Sequence, residues 1–454
     1  MDYDLIIIGS GPGGYVAGIR AGQVGLKTAI IENAGIGGMC LNWGCIPMKA
    51  LLESAGRLEL VKNAASFGID GIDDKKLSFN WPTAVKRSQG IVKRLTKGIE
   101  YLLKKNGVET IMGTAFINKD KSISIENRLL TAQNIIIATG SKPIALPSSI
   151  PDEMKIEIEE LLKQETLPEQ VVVWGSGLHA VELAQFFKMA EKTVTLLTED
   201  SVLIPQADPF LSDYALKILK KSKVEVTHSA KIIDMKKGEA RVKSGDEEEK
   251  TLPCDQVVNA SNRAAVLPKS ELEFSTENGF IKVDGNFQTS VENIYAVGDV
   301  CGMSMFAHSA SAQGHHAVNV IKGIQNERPF KIEQFPINIY THPEMAQIGL
   351  TEPQLKEANR DYKVSEFPLT ANGKAMIQGE TEGLIRMLSD KKYGEVLGVQ
   401  VVASHATDMI AEAAVLMELE GTVYDVARTV HAHPTISEIF MEAGYEAFDQ
   451  PIHI

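Results

Sequence analysis

Cysteine is scarce in this chain: four occur in 454 residues, too few and too scattered for a disulfide framework of the kind that staples secreted domains. Long apolar runs are missing as well. None approaches the roughly 18 residues of a membrane span, and the amino terminus, MDYDLIIIGS, sets acids before a short apolar run where a signal peptide would carry a basic region and a long apolar core. A cytoplasmic location is the expectation. Positive charge is also short, with 46 Lys and Arg against 59 Asp and Glu and a net charge of −13. No basic stripe is evident on reading the chain, so phosphate-rich nucleic acid is not an expected partner. What remains is an ordinary globular composition, 44% hydrophobic and 23% charged, with length for about three domains at roughly 150 residues each.

The chain opens with a strand at Leu5–Ile8, the run GSGPGG at 9–14, a helical stretch near 15–24 and a strand TAII at 28–31 that ends in Glu32. This is a βαβ unit with a dinucleotide fingerprint in its first turn. Gly9 permits the tight turn, Gly11 lets a pyrophosphate approach the backbone, Gly14 allows close helix packing, and Glu32 is placed for a ribose hydroxyl. A second copy follows: VVVW at 171–174, GSGLHA at 175–180 with Gly175 and Gly177, a helix through Glu182 to Met189, and TVTLL at 193–197. Here Ala180 replaces the third glycine, and Thr198 stands where the strand-end acid would be, with Glu199 next in line. No Lys or Arg occurs from Thr193 to Leu216, which favours NAD over NADP because a 2′-phosphate would lack a cation.

Between the copies, NIIIATGS at 134–141 reads as a buried strand and SKPIALPSSIP at 141–151 as a linker. NIYAVGD at 293–299 is a further buried strand, so the first domain is expected to be completed by chain returning after the second. The fold class is α/β, with two Rossmann-like dinucleotide-binding domains and a carboxyl-terminal unit of strands and helices without a glycine fingerprint. The expected boundaries are 1–145 and 269–328 for the first domain, 146–268 for the second and 329–454 for the third.

In GGMCLNWGCIPMKA at 37–50, Cys40 and Cys45 lie five positions apart behind the first fingerprint. Two buried apolar thiols are the plain alternative. Zinc would need two further ligands, and Cys254 and Cys301 are isolated, so no metal is expected. A redox pair fits better, with Gly44 and Pro47 shaping a turn and Lys49 adding positive charge. Near the other end, HAHPTISE at 431–438 places His433 before a helix expected to start at Pro434, with Glu438 a turn along to orient it.

Over almost its whole length the chain resembles the flavin-dependent disulfide reductases, and among them the branch that oxidises dihydrolipoamide. The resemblance rests on GGMCLNWGCIPMKALL, TSVENIYAVGD at 289–299, HAHPTISE, YTHPEMAQIGLTE at 340–352 and the stretch 404–429. It implies FAD in the first domain, NAD in the second and a homodimer made through an α+β carboxyl-terminal dimerisation domain. The implied partner is a lipoyl-bearing protein of a 2-oxoacid dehydrogenase or glycine cleavage complex. It further implies that Cys40 and Cys45 alternate between disulfide and dithiol, with attack on Cys40, Cys45 left as the thiolate beside the flavin, and His433 with Glu438 as base. Asp299 would bind the ribityl chain, Glu32 the adenosine ribose, Lys49 would sit near the reactive nitrogen, and Ala115, Gly140 and Ala307 would complete the FAD site. Gly175, Gly177, Glu182 and Glu199 would serve NAD.

The chain departs from the family at Met39, Trp43 and Met48 around the cysteines, at His179 within the second fingerprint, at Thr198, and at NASNRAAV, 259–266. A related reductase with another disulfide partner, or a flavin-binding complex subunit with a decayed nicotinamide site, remain the alternatives.

Overall fold

The protein is described from a computed structural model covering residues 1–245, 248–325 and 331–454. The expected boundary at 328/329 lies outside the described residues. Tyr3–Ile8 is the central strand of a five-stranded parallel sheet in the order Ile294–Ala296, Ala132–Ile137, Tyr3–Ile8, Thr28–Glu32 and Glu109–Met112. A parallel strand covered on both faces must be apolar on both. Accordingly Leu5 and Ile7 pack with Ala17, Ala21, Ala317 and Val318 of the helices Pro12–Gln23 and Ala307–Lys322, while Ile6 and Ile8 pack with Ile117, Ile123 and Leu130 of a small sheet on the other side. The strand Ile294–Ala296 joins this sheet although it lies after the second nucleotide unit in sequence.

The second unit repeats the plan, with parallel strands in the order Glu225–Thr227, Thr193–Leu197, Gln170–Trp174, Gln256–Asn259 and Lys155–Ile156. The segment read as a linker is partly structured: Ser141–Pro143 pairs antiparallel with Arg263–Ala265, so the two chain crossings between the units are fastened to each other. The carboxyl-terminal unit is a five-stranded antiparallel sheet around Val396–Ala403, a strand buried at all eight positions, with helices against it. Among the described residues, no helix is long and apolar enough to cross a membrane.

The helix Trp81–Lys105 corrects the reading that no basic stripe exists. It carries Lys86, Arg87, Lys93, Arg94, Lys97, Lys104 and Lys105 against the single acid Glu100. At about 100° per residue the seven cations fall within roughly 120° of arc, opposite the buried residues Trp81, Ala84, Ser88 and Ile99. The stripe escapes a linear reading because its members are spaced by helical turns.

One core cluster joins all three units. Met48, Leu51 and Trp81 of the first meet Phe186 and Phe187 of the second and Ile339, Met345 and Val402 of the third. Phe186 is fully buried, with its ring centroid 5.9 Å from that of Phe79 and 6.2 Å from that of Trp81. Truncating Phe186 to Ala is expected to cost about 3–5 kcal/mol, measured as a fall in the denaturation midpoint. A loss within about 0.5 kcal/mol, the range of surface changes, would show that the units are not held together here.

Candidate active site

Gly37 and Gly38 turn the chain with φ of +97° and +61°, and the short helix Gly38–Asn42 then carries Cys40. Asn42 Nδ2 donates back to the carbonyls of Gly38 at 2.8 Å and Ile36 at 3.1 Å, which closes the loop on itself. Gly44 separates this turn from the helix Cys45–Lys62, so Cys45 is the first residue of an 18-residue helix. Both cysteines are thiols here. The hydrogen bond between them favours the thiolate on Cys45 and pushes Cys40 well up, while burial opposes ionisation at both. Lys49 and His179 add to the lowering at Cys45, and the helix N-terminus is a further source of partial positive charge.

Lys49 sits one turn after Cys45, and its Nζ lies 2.6 Å from Glu182 Oε2 in the second unit. Glu182 is 3% exposed; its Oε1 accepts the backbone N–H of Tyr340 at 2.9 Å, and His179 Nδ1 stands 3.7 Å from Oε2. Burial alone would push this carboxyl up, but Lys49 and His179 outweigh it and hold it down to about 2. Burial would likewise lower Lys49, and Glu182 reverses that. The ammonium also lies over the Tyr340 ring, 4.7 Å from its centroid. One ion pair therefore fixes a positive charge beside Cys45 at the junction of the three units.

The first fingerprint fits an anionic dinucleotide. Gly9 takes φ +102°, and a Cβ at Gly14 would lie 1.9 Å from Gly9 O, so the glycine is demanded by packing. Gly11 differs: its backbone, with φ −62°, suits any residue, and a Cβ there would meet nothing within 4 Å. The space above it, at the N-terminus of Pro12–Gln23, is where a pyrophosphate can sit. Glu32 closes the turn by accepting from Ser10 N at 2.8 Å and Ser10 Oγ at 2.7 Å. Asp299 Oδ2 accepts from Ser141 Oγ at 2.5 Å, and Arg263 Nε donates to the same hydroxyl at 2.7 Å. Gly140 (φ +71°) precedes Ser141, Ala307 opens its helix and Ala115 is buried in the core behind the sheet.

The second fingerprint lines a cavity of about 330 Å³ with Ser176, Gly177, His179, Gln206, Asn262 and Arg263. Gly175 and Gly177 take φ of +139° and +87°. The carboxylate that closes this turn, as Glu32 closes the first, is Asp200, which accepts from Ser176 Oγ. Glu199 instead faces Lys231 Nζ at 3.8 Å. Sequence spacing missed Asp200 because the second acid loop is two residues longer, and it missed Ser141 and Arg263 because they meet only when the two crossings pair.

His433 Nδ1 lies 2.9 Å from Glu438 Oε1, and Glu438 Oε2 accepts from Thr435 N at 2.9 Å. The helix does not begin at Pro434 as expected. It begins at Glu438, because Thr435 Oγ1 donates to Ala432 O at 2.7 Å and the Glu438 carboxylate binds Thr435 N, holding residues 434–437 in a turn. The imidazole is 78% exposed, and no hydrogen bond or ion pair joins it to either cysteine among the described residues. The structure thus brings Cys40, Cys45, Lys49, Glu182 and His179 together and sets the His433–Glu438 pair apart.

These geometries separate two glycines. Gly11→Ala should keep the wild-type melting temperature of the flavin-free protein within about 2 °C yet purify with most of its flavin lost. Gly14→Ala should be destabilised outright. Full flavin occupancy in Gly11→Ala, read from the visible spectrum, would mean that the space above Gly11 is not the anion site.

Comparison with known proteins follows the same lines. Residues 3–314 match the model of the pyridine nucleotide-disulphide oxidoreductases, and residues 335–444 match that family's dimerisation domain. The chain is 37% identical to a dihydrolipoyl dehydrogenase of Rhizobium etli, over 99% of each chain. It is 34% identical to one of Bacillus subtilis, over 100% of this chain and 99% of the other. A mitochondrial dihydrolipoyl dehydrogenase of Arabidopsis thaliana is 35% identical, over 99% of this chain and 91% of the other. Among solved structures, LpdA from Mycobacterium tuberculosis superposes with a TM-score of 0.85 at 22% identity, over 97% of this chain and 99% of the other. The HOCl-induced flavoprotein disulfide reductase RclA from Escherichia coli gives 0.83 at 24%, over 96% and 98%. With two nucleotide-binding units, a cysteine pair at their junction and matches spanning nearly its whole length, the chain belongs to the pyridine nucleotide-disulphide oxidoreductase family.

Proposed function

We propose that this protein is a homodimeric dihydrolipoyl dehydrogenase that oxidises protein-bound dihydrolipoamide through Cys40 and Cys45. The observation that carries the reading is the cysteine pair, with its thiolate side held at the start of a helix beside the Lys49–Glu182 ion pair. We assign FAD to residues 1–145 with 269–328, NAD to 146–268 and the subunit interface to 329–454. FAD would rest on Gly9, Gly11, Gly14 and Glu32, with Asp299, Gly140, Ala115 and Ala307 around it. NAD would rest on Gly175, Gly177 and the edge formed by Glu199 and Asp200, and Glu182 would stand between the nucleotide and Lys49. When bound, FAD and NAD supply the two-electron relay and the hydride acceptor.

In the oxidised centre, His433 takes the proton of a dihydrolipoyl thiol, and Glu438 holds the resulting imidazolium. The thiolate attacks Cys40 Sγ; an S–S bond forms there and the Cys40–Cys45 bond breaks, its electron pair going to Cys45 Sγ. Lys49, His179 and the helix N-terminus stabilise that charge. The second dihydrolipoyl thiol then closes the lipoyl ring on its own mixed disulfide and releases Cys40, which takes up a proton. A reducing cytoplasmic setting goes with this cycle, which regenerates its disulfide by chemistry at the site.

His433 serves this cycle from a partner subunit. Support comes from its exposure within one chain, 78% for the imidazole, and from Val430, three residues before it, which is 94% exposed. Cys45→Ser and His433→Gln chains, each nearly inactive alone, should recover about a quarter of wild-type activity when co-expressed, since half the dimers are mixed and one of their two sites is intact. Activity that stays at the level of the single variants, with mixed dimers confirmed by mass, would place both groups in one chain.

Nucleotide choice follows from the acidic edge at Glu199 and Asp200, where the nearby cation Lys231 already faces Glu199. With dihydrolipoamide as donor, kcat/KM for NAD should exceed that for NADP by at least about tenfold, roughly 1.4 kcal/mol. Equal efficiencies would contradict the assignment of that edge, and no reduction of either nucleotide would contradict the function itself.

A further inference from the structure

The basic face of the helix Trp81–Lys105 has no use in the cycle above. Its seven cations stand on a chain of net charge −13, leaving 39 Lys and Arg against 58 Asp and Glu for all other residues. All seven are exposed, and among the described residues none forms an ion pair. Several surface cations elsewhere do pair locally, as in Lys62–Glu191 and Lys163–Glu159. The stripe runs for about 28 Å from Lys86 to Lys105 at about 1.5 Å per residue, the span of a small domain. Gly90 and Gly98 lie within the continuous helix, where glycine is a poorer helix former than alanine, yet a Cβ at either would meet nothing within 4 Å. Packing within this chain therefore does not require them.

The position of this face is as informative as its charge. Ser88 Oγ donates to Pro47 O at 3.3 Å, and Arg87 Nη1 donates to Ala50 O at 3.0 Å. The helix is thus fastened near its start to the first two turns of the helix that starts at Cys45, which puts the Arg87 end of the stripe against the helix that carries the redox thiol.

We propose that this stripe is the docking surface for an acidic protein domain that bears the dihydrolipoyl group. The inference rests on the function proposed above and adds to it the surface that captures the substrate's carrier. A carrier domain with acidic groups along one side meets the stripe by charge complementarity, which speeds encounter and sets orientation, while the lipoyl arm reaches the cysteines. A nucleic acid would meet the same cations but would be repelled by the acidic remainder of the chain over its much greater length.

The test uses the full-length holoenzyme and two substrates: free dihydrolipoamide, and an acidic lipoyl domain of a 2-oxoacid dehydrogenase complex in its dihydrolipoyl form. Lys93→Glu/Arg94→Glu/Lys97→Glu should raise KM for the domain by at least about tenfold and leave kcat/KM for free dihydrolipoamide within about twofold. Should that variant fail to fold, Lys93→Gln/Arg94→Gln/Lys97→Gln should show the same split, smaller in size. In the unaltered enzyme, added salt should lower kcat/KM for the domain and spare the free substrate. Equal response of both substrates to charge and salt would overturn the proposal. So would tighter binding of a single-stranded oligonucleotide or an anionic phospholipid vesicle than of the acidic domain, lost in the same variant. Inactivity of the unaltered enzyme toward free dihydrolipoamide would fall instead on the proposed function.

Discussion

The ion pair between Lys49 and Glu182 is the contact on which the rest of the site depends. Its carboxylate is buried and its ammonium partly so, and such a pair is stabilising only when its remaining polar valences are met. Here they are met: Glu182 takes the Tyr340 amide with one oxygen and Lys49 with the other, with His179 close by, and Lys49 rests on the Tyr340 ring. Four consequences follow from one contact. The helix that starts at Cys45 is locked to the helix of the second fingerprint, the carboxyl-terminal unit is tied to both, a positive charge stands one turn from Cys45, and Glu182 is kept from neutralising by burial. Removing either partner would leave an uncompensated charge in the core.

The two thiols differ first through the hydrogen bond between them, to which Lys49 adds at Cys45. Lys49 favours ionisation at both, yet only Cys45 adds to it the first position of a long helix and the imidazole of His179. Cys40 has the hydrogen bond to give and less cationic support, so it retains its proton. A disulfide with one good leaving thiolate is attacked at the other sulfur, and the direction of exchange is set by this asymmetry.

Much of this is legible in the chain. The central strands are nearly unbroken runs of Ile and Val because a parallel sheet is apolar on both faces, and each is followed by a glycine turn whose spacing announces a helix. Cys40, Cys45, His433 and Glu438 stand out by residue type and spacing. What spacing does not show depends on partners far away in sequence. Lys49 meets Glu182 across 133 positions and Ser141 meets Arg263 across 122. The stripe on Trp81–Lys105 emerges only once the turn of the helix aligns its cations. The last helix starts later than a proline at its first position would suggest, because side-chain bonds at Thr435 hold a turn between Pro434 and Glu438.

The central claim is that Lys49, held by Glu182, keeps Cys45 as the thiolate, and the pH dependence of Cys45 alkylation by iodoacetamide in the reduced protein tests it most directly. Followed by peptide mass, wild-type labelling should rise at a pH well below the value of about 8.5 for an ordinary thiol. In Lys49→Met the rise should move up by at least about one pH unit, about 1.4 kcal/mol of lost thiolate stabilisation. Labelling of wild type and Lys49→Met along the same curve, at the ordinary thiol value, would contradict the account.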